Sequence, residues 1–242
     1  MIWLKNIFTL DFGESFSYEE PALDVIMSKF PVSLQFGVIS FILVYLICIP
    51  LGVFKAVKDG TTFDVVSSVV LFILYSIPPL MLGILLIVFF SGETFVDWFP
   101  MGELYSDEYD ELSFWGQVVD RIHHFVLPLT CYVIGSFTVL SFLMKNSLLD
   151  EIRKDYVRTA KAKGLSENVV MFKHALRNAL IPIATGFGSF LGVFFAGSLI
   201  IERIFNLDGM GLLGFKAALD RDYNVLMALV LFQSGIALFG RL

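Results

Sequence analysis

The pattern that points most directly to chemistry is Gly209–Gly214, which reads G-M-G-L-L-G and matches the glycine fingerprint of dinucleotide-binding proteins. That fingerprint requires a preceding strand, a following helix and an acidic residue about twenty positions later. An apolar stretch precedes this segment instead, and no Asp or Glu follows Asp222. We therefore expect a glycine-punctuated turn here and no nucleotide site.

Other catalytic and metal-binding patterns are weak. The sequence lacks G-x-x-x-x-G-K-[ST] and H-E-x-x-H, and the adjacent pair His123-His124 cannot face one metal ion as an i, i+4 pair on a helix would. Cys48 and Cys131 both lie in apolar stretches, where a thiol usually packs as a small hydrophobe. The sequence therefore predicts no catalytic residue, no metal ion and no cofactor bound by this chain.

The elements that would position any site are apolar helices. The chain has 242 residues, of which 57% are hydrophobic and 17% charged, whereas soluble domains are about 45–50% apolar and about 25% charged. Uncharged apolar runs of this kind are typical of membrane helices, and five are present: Val32–Phe54, Val65–Phe90, Phe125–Met144, Ala179–Ile201 and Val225–Gly240. We expect an all-α membrane protein, a polytopic bundle with five transmembrane helices, and exclude an ordinary cytosolic enzyme.

The charges between these spans predict the orientation of the chain. Loop 91–124 carries eight acidic residues and one basic residue, whereas loop 145–178 carries eight basic and four acidic residues. Because Lys and Arg stay cytoplasmic, loop 145–178 is predicted to be cytoplasmic. The acidic outer loop 91–124, the outer loop 202–224 and residues 1–31 are then extracytoplasmic, and residues 32–242 form the transmembrane domain.

Both ends of the chain look truncated. Residues 1–31 are predicted to lie outside although they contain no secretory signal pattern. Either the chain inserts with its N-terminus outside or a preceding first helix is missing, and we favour the missing helix. The last span covers roughly 24 Å at about 1.5 Å per residue, short of a hydrocarbon core of about 30 Å.

The spans hold helix breakers but no ionisable side chain. The lack of ionisable groups weighs against a proton-coupled carrier, although sodium coupling through backbone oxygens stays open. Pro78 and Pro79 are expected to kink the second span, and Pro182 to occupy a first helical turn. Gly188 and Gly192 form a small-xxx-small face. This face serves either tight packing within one bundle or a helix that slides against a partner subunit.

Loop 145–178 is too patterned for a passive connector. Apolar residues at three- and four-residue spacing predict an amphipathic helix over Ser147–Lys163. Gly164 is the usual residue for a left-handed helix end, Ser166 is a good N-cap, and Glu167 lies in the first turn that follows. The segment either lies flat on anionic lipid or forms a rigid knob that fits a groove on a cytosolic partner.

This loop resembles the EAA loop of inner-membrane permeases of ABC importers. Asp155–Ser166 reads D-Y-V-R-T-A-K-A-K-G-L-S, and His174–Pro182 reads H-A-L-R-N-A-L-I-P. Residues 158–160, R-T-A, take the place of E-A-A, and Gly164 matches the glycine of the motif. The form is that of the dipeptide/oligopeptide/nickel branch.

Other segments extend the resemblance over nearly the whole chain. Ile201–Phe205 and Gly209–Gly211 are similar to the E-x-x-F…P-G-x-G segment of this branch, with Asp208 where Pro is common. The acidic outer loop and residues 146–154 point to the subfamily that imports oligopeptides and microcin C. Family members also carry a first helix before this start and a cytoplasmic tail after this end.

The resemblance implies the permease subunit of a type I ABC importer, with six transmembrane helices in the full-length protein. It implies a bacterial inner membrane location, a lipid bilayer as surroundings and no nucleic acid partner. Its protein partners would be a second permease, cytosolic ABC ATPases that use ATP and Mg, and an extracytoplasmic solute-binding protein. An ion-coupled secondary transporter or channel subunit is the alternative.

The resemblance also implies two sets of site residues. Residues for coupling to the ATPases are Asp155, Tyr156, Arg158, Thr159, Ala160, Lys163, Gly164, Leu165, Ser166 and Glu167. Candidates for docking of the binding protein on the outer side are Glu202, Asp208, Gly209 and Gly211.

Overall fold

The structure is a computed structural model that describes residues 11–92, 95–186, 188 and 197–239. Its named helices are α1 (Ala22–Val57), α2 (Thr62–Ser76), α3 (Pro79–Phe90), α4 (Phe114–Ile152), α5 (Asp155–Ala162), α6 (Glu167–Val169), α7 (Leu176–Ala179), α8 (Leu199–Ile204), α9 (Met210–Leu219) and α10 (Tyr223–Phe239). A 3₁₀ turn covers Tyr109–Glu111 and a π-helical turn covers Val170–Ala175. Within these described residues, β structure is limited to one isolated bridge between Glu14 and Pro21. The all-α prediction is confirmed for this part of the chain.

Two of the described helices are long and apolar enough to cross a bilayer, α1 with 36 residues and α4 with 39 residues. They contain the predicted spans Val32–Phe54 and Phe125–Met144 and extend beyond both. Asp24 lies in the first turn of α1 and Lys55 in its last turn, charges that interact favourably with the helix dipole.

The predicted span Val65–Phe90 is two helices instead of one kinked helix. α2 ends at Ser76 and α3 begins at Pro79. Neither Pro78 nor Pro79 has an N–H group to continue the hydrogen bonding of α2, and at the first position of α3 the missing N–H costs nothing. Counted as one broken span, this pair would add a third crossing in the described part of the chain.

The predicted span Ala179–Ile201 is described only at its ends. Pro182 lies in the first turn of a helical segment at 181–186, and Gly188 is helical and buried, whereas Gly192 lies outside the described residues. A continuous helix to Ile201 is wrong, because Gly197 has a φ of +75°, in the left-handed region that ends a right-handed helix. A new helix, α8, begins at Leu199.

The chain divides into two compact units. Unit 1 comprises Met1–Ser40, Pro78–Tyr132 and Ser189–Leu242, and unit 2 comprises Phe41–Ile77 and Val133–Gly188. In unit 1 the first turns of α1 pack against α9 and α10, where apolar residues at helical spacing form one buried face. The buried side chains of this core are Ala22, Val25, Ile26, Met210, Leu213, Ala217, Val225, Ala228 and Leu229.

Residues 11–21 of unit 1 form a turn that is fixed to the start of α10. Ser15 Oγ donates to Asp222 Oδ2 at 2.5 Å, and Asp222 Oδ1 accepts from the Val225 N–H at 3.3 Å and so caps α10. Asp222 is completely buried. Burial opposes its charge, but the hydrogen bonds from Ser15 and from backbone N–H groups lower the pKa of Asp222 below the usual aspartate value.

In unit 2 the backbones of α1 and α4 come into close contact at Gly52. A Cβ atom at this position would lie 2.5 Å from Met144 Cβ and 2.7 Å from the Ser141 carbonyl oxygen. Any other residue would push the helices apart. Met144 and Leu148 on α4 are completely buried, so the last turns of α4 are tightly packed within this unit.

Candidate functional site

The predicted coupling residues lie in a protruding segment, Asp155–Glu167, which we call the knob segment. It consists of α5, a sharp turn and the start of α6. Val157 anchors α5 at 2% exposed, whereas the side chains of Asp155 and Arg158 are 95% and 75% exposed. Every residue from Lys161 to Val169 is exposed. The segment therefore presents a continuous free surface on a buried anchor.

Gly164 forms the bend of the knob segment as predicted, with a φ of +81°. The Gly164 N–H donates to the Lys161 carbonyl at 2.9 Å, and the Leu165 N–H donates to the Ala160 carbonyl at 3.4 Å. This pair of bonds is the Schellman arrangement that ends a helix at a left-handed residue. No atom lies within 4 Å of a Cβ built at Gly164, so glycine is required by the backbone conformation and not by crowding.

The continuous helix predicted over Ser147–Lys163 is wrong. α4 ends at Ile152, and α5 begins after Lys154, whose backbone is extended. Two bonds to Glu151 stabilise the break: Tyr156 OH donates to Oε2 at 2.6 Å, and Lys154 Nζ contacts Oε1 at 2.5 Å. Burial, followed by the bond to the Glu151 carboxylate, raises the pKa of Tyr156 above the usual tyrosine value.

The other predicted coupling residues line the same protrusion. Thr159 Oγ1 donates to the Asp155 carbonyl at 2.9 Å, and Lys161 and Glu167 form an exposed ion pair at 3.4 Å. Ser166 occupies the N-cap position of α6 but makes no side-chain capping bond, which corrects the expectation for its hydroxyl. The structure thus brings the predicted set together on one surface, with Ala160 and Tyr156 partly buried and the others exposed.

The predicted outer docking residues fall into two environments. Glu202 is 1% exposed and Gly209 is buried. Asp208 is 51% exposed, forms an ion pair with Lys29 and lies 3.6 Å from Lys216 Nζ. Of the two acidic candidates, Asp208 is therefore accessible to a partner protein, whereas Glu202 is not.

Glu202 is the acceptor at the centre of a buried hydrogen-bond network in unit 1. Its Oε2 accepts from the Leu212 N–H at 2.7 Å, and its Oε1 accepts from the Ser198 N–H at 3.2 Å and from Ser33 Oγ at 3.1 Å. Ser33 Oγ in turn accepts from the Met210 N–H at 2.8 Å. Burial raises the pKa of Glu202 above the usual glutamate value, and these donors oppose the rise.

Three glycines make room for this carboxylate and for the backbone around it. A Cβ at Gly197 would lie 2.3 Å from Glu202 Oε1, and one at Gly209 would lie 2.6 Å from the same oxygen. A Cβ at Gly211 would lie 2.5 Å from the Leu199 backbone nitrogen. The G-x-G pattern therefore surrounds a protein carboxylate instead of a dinucleotide phosphate.

Sequence reasoning missed an ionic cluster in unit 2, in which Lys55 and Asp64 are buried and Asp59 is half-exposed. Together with Lys145 these residues form what we call the ionic cluster. Lys55 is completely buried, with Nζ 3.1 Å from Asp64 Oδ1. Lys145 Nζ contacts Asp64 Oδ2 at 2.7 Å and Asp59 Oδ1 at 2.8 Å. The sequence contained a signal for this cluster. Lys55 and Lys145 each directly follow a predicted uncharged span, and Asp64 directly precedes one.

Serines complete the coordination of Lys55. Its Nζ donates to Ser68 Oγ at 2.6 Å, to Ser67 Oγ at 2.9 Å and to the Asp64 carbonyl at 3.0 Å. The ammonium group is therefore fully provided with acceptors, as a buried charge requires.

The described helices include two that are long and apolar enough to cross a bilayer, as expected of a helical membrane protein, and the comparisons with known proteins identify the family. Residues 48–241 match the family described as binding-protein-dependent transport system inner membrane component. The chain belongs to this family.

Its relatives are permeases of peptide ABC transporters. The chain is 46% identical over 226 residues to the peptidoglycan transport system permease protein YejB of Agrobacterium fabrum, which covers 93% of this chain and 62% of that protein. It is 44% identical over 227 residues to the inner membrane ABC transporter permease protein YejB of Escherichia coli O157:H7, with the same coverage. It is 36% identical over 243 residues to the oligopeptide transport system permease protein AppB of Bacillus subtilis, covering 99% of this chain and 74% of that protein.

These matches confirm the resemblance to the dipeptide/oligopeptide branch of ABC permeases, and they do not favour an ion-coupled transporter. The chain spans 62% of the length of the two YejB proteins.

Proposed function

We propose that this chain belongs to the permease subunit of an ATP-driven importer of peptides or peptide-like solutes in the bacterial inner membrane. With a second permease it forms the translocation pathway, a solute-binding protein delivers the solute, and cytosolic ATPases supply the work. The names of the relatives, which include transport of peptidoglycan and oligopeptides, support this solute class.

The observation that carries the proposal is the exposed knob segment on its buried anchor. A partner that hydrolyses ATP needs a well-defined contact surface through which to move the membrane helices. The Schellman turn at Gly164 provides a defined backbone conformation for such a surface without contacts from neighbouring side chains. The exposed charges of Asp155 and Arg158 give this feature polar contacts for a groove. The ATPases would bind ATP and Mg, since no P-loop pattern occurs in this sequence.

The sidedness of the loops follows from the same assignment. Loop 145–178 faces the cytoplasm, and the acidic loop 91–124 and loop 202–224 face the binding protein. Asp208 is the candidate docking residue on that outer face, because half of its side chain is exposed. Charge at this position would speed the encounter with the binding protein more than it would strengthen binding.

The test is ATP-driven peptide uptake by the full-length protein reconstituted in liposomes with its second permease, ATPases and binding protein. Gly164→Asp is expected to leave assembly intact and to separate ATP hydrolysis from uptake, because it adds strain and a charge at the contact surface. Absence of ATP-driven peptide uptake by the wild-type complex would overturn the proposed function. Normal uptake per ATP in assembled Gly164→Asp complexes would overturn the coupling role of the knob segment.

Gly60 provides a matched control for backbone strain. It has a φ of +73° and, like Gly164, no atom within 4 Å of a built Cβ. Alanine at either position is expected to cost about 1 kcal/mol through the left-handed backbone. Gly60→Ala should therefore match Gly164→Ala in stability yet keep normal uptake per ATP, so that only changes at Gly164 alter coupling.

A further inference from the structure

The end of α4 in unit 2 is bonded at two places, which are less than two helical turns apart. At one of them Lys145 holds Asp59 at 2.8 Å and Asp64 at 2.7 Å. At the other, Glu151 holds Tyr156 at 2.6 Å. Glu151 follows Lys145 by six positions along the helix, or about 9 Å at about 1.5 Å per residue.

The first place ties α4 to α1 and α2. Asp59 lies in the turn between α1 and α2, and Asp64 lies in the first turn of α2. Asp64 also holds Lys55, which belongs to the last turn of α1. Because Lys55, Asp64 and Lys145 have side chains at most 11% exposed, their attraction is screened little by water or salt.

The second place ties α4 to α5 across the helix break at Lys154. Tyr156 follows the break, and its hydroxyl reaches back to Glu151 on α4. Nearby Val157 is buried and anchors the same helix. The Tyr156 bond therefore adds a polar attachment to the apolar one, directly across the break between α4 and α5.

The segment between the two places is tightly packed. Leu148 is completely buried, as is Met144 beside Lys145, and Gly52 lets α1 contact α4 directly at Ser141 and Met144. A displacement of α5 therefore has a continuous path of packed and bonded groups to α1 and α2.

We propose that Lys145 and Tyr156 are positioning residues for coupling, which act in series to pass motion of the knob segment to α1 and α2. This inference rests on the proposed function, since it assumes that the ATPases move the knob segment. Lys145 keeps α4 in contact with α2 and the turn before it, and Tyr156 keeps α5 in contact with α4, while these elements move.

The experiment measures peptide uptake per ATP hydrolysed by the full-length permease in its complete complex, reconstituted in liposomes. Lys145→Gln and Tyr156→Phe are each expected to lower this ratio by about 2- to 30-fold, the range for changes along coupled networks. Lys145→Arg keeps the charge and should restore the ratio. Lys58→Gln removes an exposed lysine from the same turn and should leave the ratio unchanged.

The double variant tests the series arrangement. Because one broken link already interrupts the path, Lys145→Gln/Tyr156→Phe should lower the ratio no further than the more severe single variant. A drop equal to the product of the two single effects would show independent roles and overturn the proposal. A wild-type ratio in assembled Lys145→Gln complexes would also overturn it.

Two controls keep these results separate from folding and from the proposed function. If Lys145→Gln complexes do not assemble, Asp59→Asn removes only the half-exposed partner of Lys145, and an unchanged ratio in both Asp59→Asn and Tyr156→Phe overturns the proposal. If the wild-type complex shows no ATP-driven peptide uptake, the proposed function fails instead.

Discussion

Replacing Glu202 by alanine is expected to destabilise unit 1 strongly. The Leu212 N–H, 2.7 Å from the carboxylate, would lose its acceptor, and the Ser198 N–H would keep only the Tyr132 hydroxyl at 3.0 Å. A buried donor without a partner costs about 1–3 kcal/mol, and each buried methylene removed costs about 0.8 kcal/mol more. Removal of a carboxylate whose pKa is raised by burial offsets part of this loss. We expect a net loss of about 2–5 kcal/mol.

Glutamine at position 202 isolates the charge from the shape of the side chain. Its amide has one acceptor oxygen, so it can serve the Leu212 N–H or the Ser198 N–H but must turn its NH₂ group towards the other donor. Glu202→Gln is therefore expected to lose about 1–3 kcal/mol, less than alanine.

The measurement is the free energy of unfolding of the full-length protein in detergent micelles, from denaturant titration of each variant. Glu167→Ala is the control, since the Glu167 side chain is 87% exposed and its removal should change stability by no more than about 0.5 kcal/mol. A loss below about 1 kcal/mol for Glu202→Ala would refute the central role of this carboxylate. Equal losses for glutamine and alanine would refute the donor-counting argument.

Three more predictions concern stability. Asp64→Asn should cost about 3–5 kcal/mol in the same titration, because it leaves two buried lysines without their shared carboxylate, whereas Asp59→Asn, at a half-exposed site, should cost about 0–1 kcal/mol; equal losses would contradict the burial argument. The lowered pKa of Asp222 means that its contribution is complete above the ordinary aspartate pKa of about 3.9 and is lost as the pH falls through the folded-state value. Proteolysis at residues 11–21 should therefore increase on acidification in the wild type, and Asp222→Asn should remove this pH dependence. Gly209→Ala should lower the melting temperature because its Cβ would lie 2.6 Å from the Glu202 carboxylate, and Gly135→Ala, in open space on α4, should leave it unchanged or higher.

The bend at Gly164 could be predicted from the sequence because its cause is local. A left-handed glycine and the two hydrogen bonds around it involve residues within five positions of each other, and the pattern of residue types records such short-range requirements. The family resemblance rests on the same local motif. The break between α4 and α5 was missed, because Glu151 and Tyr156 fit an uninterrupted amphipathic helix equally well by spacing.

Burial of charge could not be predicted from the sequence. Glu202 follows an apolar stretch and precedes loop residues, so its type favoured an exposed outer position. Only the arrangement of Gly197, Gly209 and Gly211 around it, separated by up to fourteen positions along the chain, shows that the carboxylate is enclosed.

Lys55 illustrates the same limit for orientation. It directly follows the predicted span Val32–Phe54, yet it is completely buried and paired with Asp64. The contribution of Lys55 to the charge difference between the two sides is therefore neutralised within unit 2. The predicted orientation depends instead on the longer loop 145–178, which has more exposed basic residues.

The bond between Ser15 and Asp222 joins residues 207 positions apart, and this distance sets an order of events during biosynthesis. At about 5–20 residues per second, the ribosome needs about 10–40 s to make the partner of Ser15 after Ser15 itself. During this time residues 11–21 lack their anchor, while the intervening helices are inserted into the membrane one after another. Attachment of this segment is therefore a late step in maturation. Until Asp222 has been made, the segment is accessible to proteases and chaperones at the membrane surface.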